Sequence, residues 1–168
     1  MNPRPVIVRL ARPLEAGDIA LMCRDLIERG LGWSWTRTKV AKNMANRDIT
    51  TLAAYDGKSM VGFAMMYFGD DYAHLNLLAV KTSYQRSGLG RRLVAWLEES
   101  ARCAGISAIH LEVRANNTIG RRFYRALGFQ EVALLPRYYR EVESAIWMAH
   151  DLRCRAVQQR VQEGPQST

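Results

Sequence analysis

Gln85-Arg86-Ser87-Gly88-Leu89-Gly90-Arg91-Arg92 is the stretch on which the fold of this 168-residue chain turns. It separates an apolar run, Leu77-Leu78-Ala79-Val80, from a segment in which Leu89, Leu93, Leu97 and Ala101 recur four residues apart. The first reads as a strand and the second as a helix with one apolar stripe, so the octapeptide is a strand-to-helix turn. Two glycines there let backbone N–H groups converge, without side chains in the way, at the positive end of a helix dipole. Arg91 and Arg92 fall in the first helical turn, where each cation is disfavoured by ~0.3–1 kcal/mol. Three arginines beside unpaired donors make a poor helix start unless an anion sits there, and a pyrophosphate suits it. The turn lacks the third glycine of a dinucleotide fingerprint and the Gly-Lys-Ser/Thr of a phosphate-binding loop. A plain tight turn into an exposed helix is the alternative.

Outward from this turn the chain alternates strands and helices. Upstream, residues 6–10 read as an edge strand, and residues 14–29 as a helix stopped by Gly30. Residues 32–46, with Trp33-Ser34-Trp35, read as a loop running into a second short helix. Residues 50–55 and 60–68 flank Asp56-Gly57 and predict a β-hairpin, followed by a turn at Gly69-Asp70-Asp71 and a strand over 74–80. Downstream, Gly105 closes the long helix, 106–113 is a strand, and 117–127 is a short helix ended by Gly128. Residues 129–134 and 144–152 are the last strands. Strands before helices, then helix and strand in alternation, predict a mixed α/β sheet, not a doubly wound parallel one.

Charge narrows the class of ligand. Of a net +8, residues 86–125 carry +5, with eight arginines (86, 91, 92, 102, 114, 121, 122, 125) against Glu98, Glu99 and Glu112. Such a patch suits a polyanion. The arginines gather at one helix start without interleaved aromatics, so a nucleic-acid partner is disfavoured. The opening residues lack the apolar core of a secretion signal, and no stretch nears the ~18 apolar residues that span a bilayer. A cytoplasmic protein without a membrane partner is expected. Cys23, Cys103 and Cys154 are odd in number, widely spaced, and lack a nearby His at ligand spacing. Neither a disulfide framework nor a metal site is implied, and Cys23 and Cys103 read as buried small hydrophobes.

The octapeptide resembles the Q/R-x-x-G-x-G/A signature of the GNAT acetyltransferases, whose loop wraps the coenzyme A pyrophosphate with backbone amides. Leu77-Leu78-Ala79-Val80 resembles that family's fourth strand, which pairs with the pantetheine arm. Leu111-Glu112-Val113-Arg114-Ala115-Asn116-Asn117 and Phe123-Tyr124-Arg125-Ala126-Leu127-Gly128-Phe129 are similar to the RimI-like branch, which acetylates a ribosomal-protein N-terminal alanine. The resemblance implies one acetyltransferase domain over residues 1–152, followed by a polar tail, 153–168, in which Val157 and Val161 suit a partial helix. It further implies a mostly antiparallel sheet of about seven strands, with helices on both faces and a splay between the fourth and fifth strands. Acetyl-coenzyme A is the implied co-substrate, with no metal. Its contacts would fall on Leu78, Ala79, Val80, Arg86, Ser87, Gly88, Leu89, Gly90, Arg91 and Asn117. An amine acceptor, a protein N-terminus among the choices, is the implied partner, and the chain a monomer or homodimer.

Individual residues carry a plain reading beside the chemical one. Glu112 ends a mostly apolar strand face shared with Ile106, Ala108 and His110, and an ion pair with Arg114 would explain it. An amine must lose a proton to attack a thioester, and the resemblance assigns Glu112 as that base. Tyr124 reads as core by helical spacing, but the matching family tyrosine protonates the departing thiolate. Asn117 suits a helix cap. His110 is the rival base, while His74 and His150 stand at strand ends without an evident role. Trp33, Trp35, Tyr138 and Tyr139 fall in segments that line the family's acceptor groove. Arg137-Tyr138-Tyr139-Arg140 departs from the RimI-like pattern by running through Glu141 and Glu143 straight into the last strand. Two other functions fit parts of the sequence: a transferase for a small amine, such as a polyamine, amino acid or antibiotic, and a coenzyme A-binding regulatory domain without turnover.

Overall fold

The computed structural model describes residues 5–153. The tail beyond Arg153, with Cys154, lies outside the described residues. The described residues form two compact units, one comprising residues 5–68 together with His74–Glu99, the other Gly69–Ala73 together with residues 100–153. Among the described residues, seven strands and four α-helices make up the α/β fold the sequence predicts.

In the first unit the strands run in the order β1-β2-β3-β4: β1 (Ile7–Leu10), β2 (Ile49–Asp56), β3 (Ser59–Phe68) and most of β4 (Tyr72–Val80). β1 and β3 both pair antiparallel with β2. The β2–β3 hairpin turns where Asp56-Gly57 predicts it, with Gly57 at φ +58. β3 is buried from Met60 through Met66, because helices cover both of its faces. On one face α1 (Ala16–Met22) and α2 (Arg37–Met44) bring Ile19, Met22 and Val40 into a cluster with Phe63 and Met65. On the other, Gly62 faces Leu89 and Leu93 of α3 (Leu89–Cys103), where an added Cβ would lie 3.4 and 3.5 Å from their methyls and 3.2 Å from the Ala79 carbonyl. β1 is tied to the start of α1 by Glu15, which accepts from Arg9 (2.5 Å), the Arg12 N–H (2.7 Å) and the Tyr55 hydroxyl (2.9 Å). The Arg9 guanidinium holds the Glu15 carboxyl down to about 2.

The single helix expected over 14–29 is three pieces. A 3-10 turn (Pro13–Glu15) leads into α1, and a π-turn (Cys23–Ile27) comes after it. The Glu28 N–H bonds the Cys23 carbonyl at 2.8 Å, five residues back, so one extra residue enters the turn and shifts the phase of the residues beyond it.

In the second unit the order is β5-β7-β6: β5 (Ala108–Arg114), β7 (Glu143–Asp151) and β6 (Gln130–Tyr139), all antiparallel, with α4 (Thr118–Ala126) between β5 and β6 in the chain. β5 begins two residues later than the apolar run, because Ile106 belongs to the cap of α3. The Ile106 N–H bonds Ala101 (2.9 Å) and the Gly105 N–H bonds Arg102 (3.0 Å), a Schellman closure with Gly105 at φ +78. Cys103, expected to be buried, is exposed on the last turn of α3, while Cys23 is fully buried. Burial pushes the Cys23 thiol up to about 12, which keeps it an inert core group.

β6 runs five residues past its expected end at Leu134 and passes through Pro136. The register skips between Leu135↔Ala145 and Tyr139↔Glu143, so residues 136–138 bulge opposite Ser144 alone, and a bulge is where a strand tolerates proline. The turn after it is as tight as the sequence suggests. Arg140 and Glu141 occupy left-handed backbone (φ +49 and +59), and the Val142 N–H bonds the Tyr139 carbonyl at 3.0 Å. Hairpin turns of this kind favour Asn-Gly, and two side-chain-bearing residues there cost about 1 kcal/mol each.

Candidate functional site

In the first unit, β4 alternates: Leu75, Leu77 and Ala79 are buried, while Leu78 and Val80 are partly exposed. The loop after it is pinned at several points. Tyr84 donates its hydroxyl to Asp56 (2.7 Å), Gln85 Nε2 to the Val80 carbonyl (3.0 Å), and Ser87 Oγ to the Tyr84 carbonyl (2.5 Å). The bond to Asp56 raises the Tyr84 phenol above its ordinary range, so it remains a donor. Arg86 (φ +62) and Gly88 (φ +84) are both left-handed, and nothing lies within 4 Å of the position a Gly88 Cβ would take.

Leu89, 3% exposed, anchors the first turn of α3, and the helical ladder opens with Arg92 N–H to Gly88 carbonyl at 3.0 Å. By helix geometry the N–H groups of Leu89, Gly90 and Arg91 therefore emerge from the helix end without an intrahelical acceptor. Arg86, Arg91 and Arg92 are exposed around them, and Arg92 also reaches the Val6 carbonyl (3.0 Å). The helix start thus presents three N–H donors without intrahelical acceptors beside the exposed Arg86 and Arg91, an arrangement that favours an anion.

The α1–α2 loop carries a clamp that sequence reasoning missed. Glu28, only 8% exposed, accepts from the Ser34 N–H (2.9 Å), the Ser34 hydroxyl and the Trp35 N–H (2.9 Å). Trp33 donates to the Trp35 carbonyl (2.9 Å), Arg24 lies over the Trp33 ring, and Lys39 over the Trp35 ring. Trp33 is thus a held aromatic, 43% exposed. Glu28→Ala would leave three donors without their carboxylate. The expected cost is about 2–3 kcal/mol, read as a melting point lower by about 5–10 °C. An unchanged melting curve would show the clamp to be dispensable.

In the second unit, β5 places Ala108, His110, Glu112 and Arg114 on one half-buried face and Ile109, Leu111 and Val113 in the core. Ile106, counted with Glu112 on one face in the sequence, lies before the strand in the α3 cap. Glu112 stands in register with Trp147 of β7. His110 stacks on Tyr72 (5.2 Å) and meets Trp147 edge-on (5.1 Å). Arg114 forms an ion pair with Glu143 at 3.4 Å.

Burial, and behind it the nearby Glu112 carboxylate, raises the Tyr138 phenol above its ordinary range. Tyr138 meets Tyr139 edge-on at 5.0 Å, and Tyr139 lies close enough to Tyr124 to act on its ionisation. Tyr124 packs against Phe123 and Phe129, and burial, reinforced by Tyr139, holds its phenol well above the ordinary range. Such a phenol keeps its proton until a strong base appears beside it. Asn117 caps α4, its side-chain oxygen accepting from the Gly120 N–H at 2.9 Å. His150 rests against Phe129 (5.2 Å), at the spot a side chain on Gly128 would need.

The second unit thus gathers Glu112, Tyr124, Tyr138 and Tyr139, and the first gathers the loop from Val80 to Arg91. The Asp56–Tyr84 bond and the nearness of Tyr138 to Glu112 join residues 28 and 26 positions apart and leave no periodic signal in sequence.

Comparison with known proteins agrees with this geometry. Residues 20–129 match the acetyltransferase (GNAT) family. The chain is 34% identical over 125 residues, 73% of its length and 84% of the relative's, to the ribosomal protein bS18 alanine N-acetyltransferase of Escherichia coli strain K12. The crystal structure of the Escherichia coli ribosomal-protein-S18-alanine N-acetyltransferase is similar, with a TM-score of 0.74 and 27% identity over 88% of this chain and 94% of that one. The fold is shared with the paiA N-acetyltransferase of Thermoplasma acidophilum, solved in complex with coenzyme A (TM-score 0.76, 19% identity, 88% and 99% covered). With the glycine turn, the strand that feeds it and the family's pattern all falling on the same residues, this chain belongs to the acetyltransferase (GNAT) family.

Proposed function

We propose that the chain moves the acetyl group of acetyl-coenzyme A to the N-terminal α-amine of a protein or peptide in the cytoplasm, by direct transfer in a ternary complex. The observation that carries the acceptor class is the 34% identity to a bS18-alanine N-acetyltransferase over 73% of the chain. The pinned loop after β4 supports the choice of co-substrate. Acetyl-coenzyme A supplies an activated thioester carbonyl. The cradle at Arg86, Ser87, Gly88, Leu89, Gly90 and Arg91 holds its pyrophosphate through N–H groups and guanidinium charge. Main-chain groups of Leu78, Ala79 and Val80 align the pantetheine arm, and an N–H at Leu78 faces the carbonyl oxygen as negative charge grows on it. Asn117 adds a contact to the same co-substrate through groups its capping role leaves available. Glu112 takes the proton from the attacking amine, and Tyr124 gives one to the departing sulfur.

A turnover screen tests the acceptor class. With acetyl-coenzyme A saturating, Ala-initiated peptides are expected to give kcat/KM at least about ten-fold above free lysine or spermidine. A site built to pair peptide N–H and C=O groups rejects amines that lack them. The reverse order moves the chain to the small-amine transferases. Binding of acetyl-coenzyme A without turnover of any amine leaves a regulatory domain.

A further inference from the structure

The loop that joins β4 to α3 holds an uncommon backbone, and a residue from another part of the sheet helps to keep it there. Among the described residues, four that are not glycine have positive φ, and Arg86, at φ +62, is the one outside the β6–β7 hairpin. A residue with a side chain leaves that region unless its surroundings hold it. Both neighbours of Arg86 contribute: Gln85 Nε2 donates to the Val80 carbonyl (3.0 Å) and Ser87 Oγ to the Tyr84 carbonyl (2.5 Å). These bonds span only five and three residues, so they tie the loop to its own root. The Tyr84 hydroxyl instead reaches 28 residues back, to Asp56 Oδ2 at the end of β2 (2.7 Å). Asp56 is itself fixed by its pairing with Ser59 across the β2–β3 hairpin. The bond joins two half-buried side chains and ends on a carboxylate, which places it among the stronger kinds. The Tyr84 main chain passes the constraint on, since its carbonyl accepts from Ser87 and its N–H bonds the Lys81 carbonyl at 2.8 Å.

We propose that Tyr84 is a positioning residue for acetyl-coenzyme A: its bond to Asp56 anchors the loop on the β2–β3 hairpin and holds Arg86 and the entry to α3 in the arrangement that receives the pyrophosphate. Without that anchor the free loop would sample other backbone conformations, and the ordering needed on binding would weaken the complex. The consequence is selective. Lost pre-organisation reduces affinity for the co-substrate and leaves the chemical step alone, because the bound loop is the same in either case. The bond to Asp56 also raises the Tyr84 phenol, so the donor stays in place across neutral pH. The inference rests on the reading of this loop as the acetyl-coenzyme A site.

The test is calorimetry with acetyl-coenzyme A, beside steady-state kinetics with an Ala-initiated peptide, on the full chain carrying Tyr84→Phe, Asp56→Ala, Asp56→Asn or Tyr84→Phe with Asp56→Ala. Tyr84→Phe keeps the ring and loses the donor. It is expected to weaken acetyl-coenzyme A binding about five- to ten-fold and to raise its KM alike, with kcat and the peptide KM within about two-fold of wild type. Asp56→Ala is expected to match it, and the double variant to lose less than about two-fold beyond either, since both changes break one bond. Asp56→Asn keeps an acceptor oxygen and is expected to bind within about two-fold of wild type. Amide exchange over residues 84–92 of the ligand-free protein should quicken at least about three-fold in Tyr84→Phe. Wild-type affinity in Tyr84→Phe, unchanged exchange, losses that multiply in the double variant, or a lowered kcat at unchanged KM overturns the proposal. So does Asp56→Asn binding as weakly as Asp56→Ala. Gly90→Glu separates the two levels. Normal binding in that variant overturns the proposal and the reading beneath it together, whereas a Gly90→Glu that fails to bind beside a Tyr84→Phe that binds normally overturns the positioning role alone.

Discussion

Gly90→Glu is expected to abolish acetyl-coenzyme A binding, a loss of at least about 100-fold in affinity by calorimetry, while leaving the protein folded. The two halves of that expectation have separate causes. Gly90 lies in the first turn of α3 and is not among the glycines with positive φ, so its backbone accepts a side chain. A carboxylate in a first helical turn is favourable to the helix by ~0.3–1 kcal/mol, and here it would also face Arg86, Arg91 and Arg92. The melting point should therefore hold or rise. The same carboxylate fills the cradle that the N–H groups of residues 89–91 open onto, and it repels a phosphate. Gly88 would be a poorer choice for the experiment, because at φ +84 any side chain strains the turn and loss of binding could come from misfolding. Unchanged affinity in a folded Gly90→Glu protein would remove the donor site from this loop.

The same residues explain how much of the molecule is legible in its sequence. The strand, turn and helix around Gly88 are legible because their signals are local: an apolar strand, two glycines, and a four-residue apolar period ending at a glycine. Helix α3 and the β2–β3 hairpin are legible for the same reason, and the Schellman closure at Gly105 is the physical content of that stop signal. Where sequence and structure part, a tertiary or non-local effect overrides a local one. Ile106 looks like a strand residue because it is apolar and β-branched, yet its N–H is consumed by the α3 cap. Pro136 looks like a strand end, yet the bulge accommodates it and β6 continues to Tyr139. A helix does stand before Gly30, but its π-turn changes which side chain faces inward, and Glu28 is a buried clamp with no periodicity to announce it. Cys103 sits on a helix with a strong apolar stripe but off that stripe, at the last turn, where it meets solvent. Of the chemical residues, Glu112 and Tyr124 are reached through family resemblance. Tyr138, which stands on the β6 bulge, reads in sequence only as an acceptor-groove aromatic, because bulge geometry is not written in residue type.

Glu112→Gln is expected to lower turnover by ~10²–10⁴, the usual range for loss of a general base, with acetyl-coenzyme A affinity nearly constant. Gln has the shape of Glu, so the packing around it is kept; what disappears is the proton acceptor. The defect should shrink as pH rises, because a growing share of the acceptor amine is then deprotonated before it binds and needs no base. Tyr124→Phe should also slow the reaction, but without that recovery, since its proton is needed after attack, at the sulfur. The wild-type contribution of Tyr124 has its own pH window. Burial raises its phenol above the ordinary tyrosine range, so the proton is present at every pH below that range and is lost only above it. In the wild-type profile the alkaline limb should therefore lie beyond the ordinary tyrosine range, and Tyr124→Phe should lose activity evenly across neutral pH. The pH–rate profiles of the three enzymes, measured beside calorimetric affinity for acetyl-coenzyme A, separate these roles. Full activity of Glu112→Gln near neutral pH would move the base to His110, which shares its strand face, or to water. If both variants lose donor affinity along with turnover, the two residues shape the pocket and carry no proton.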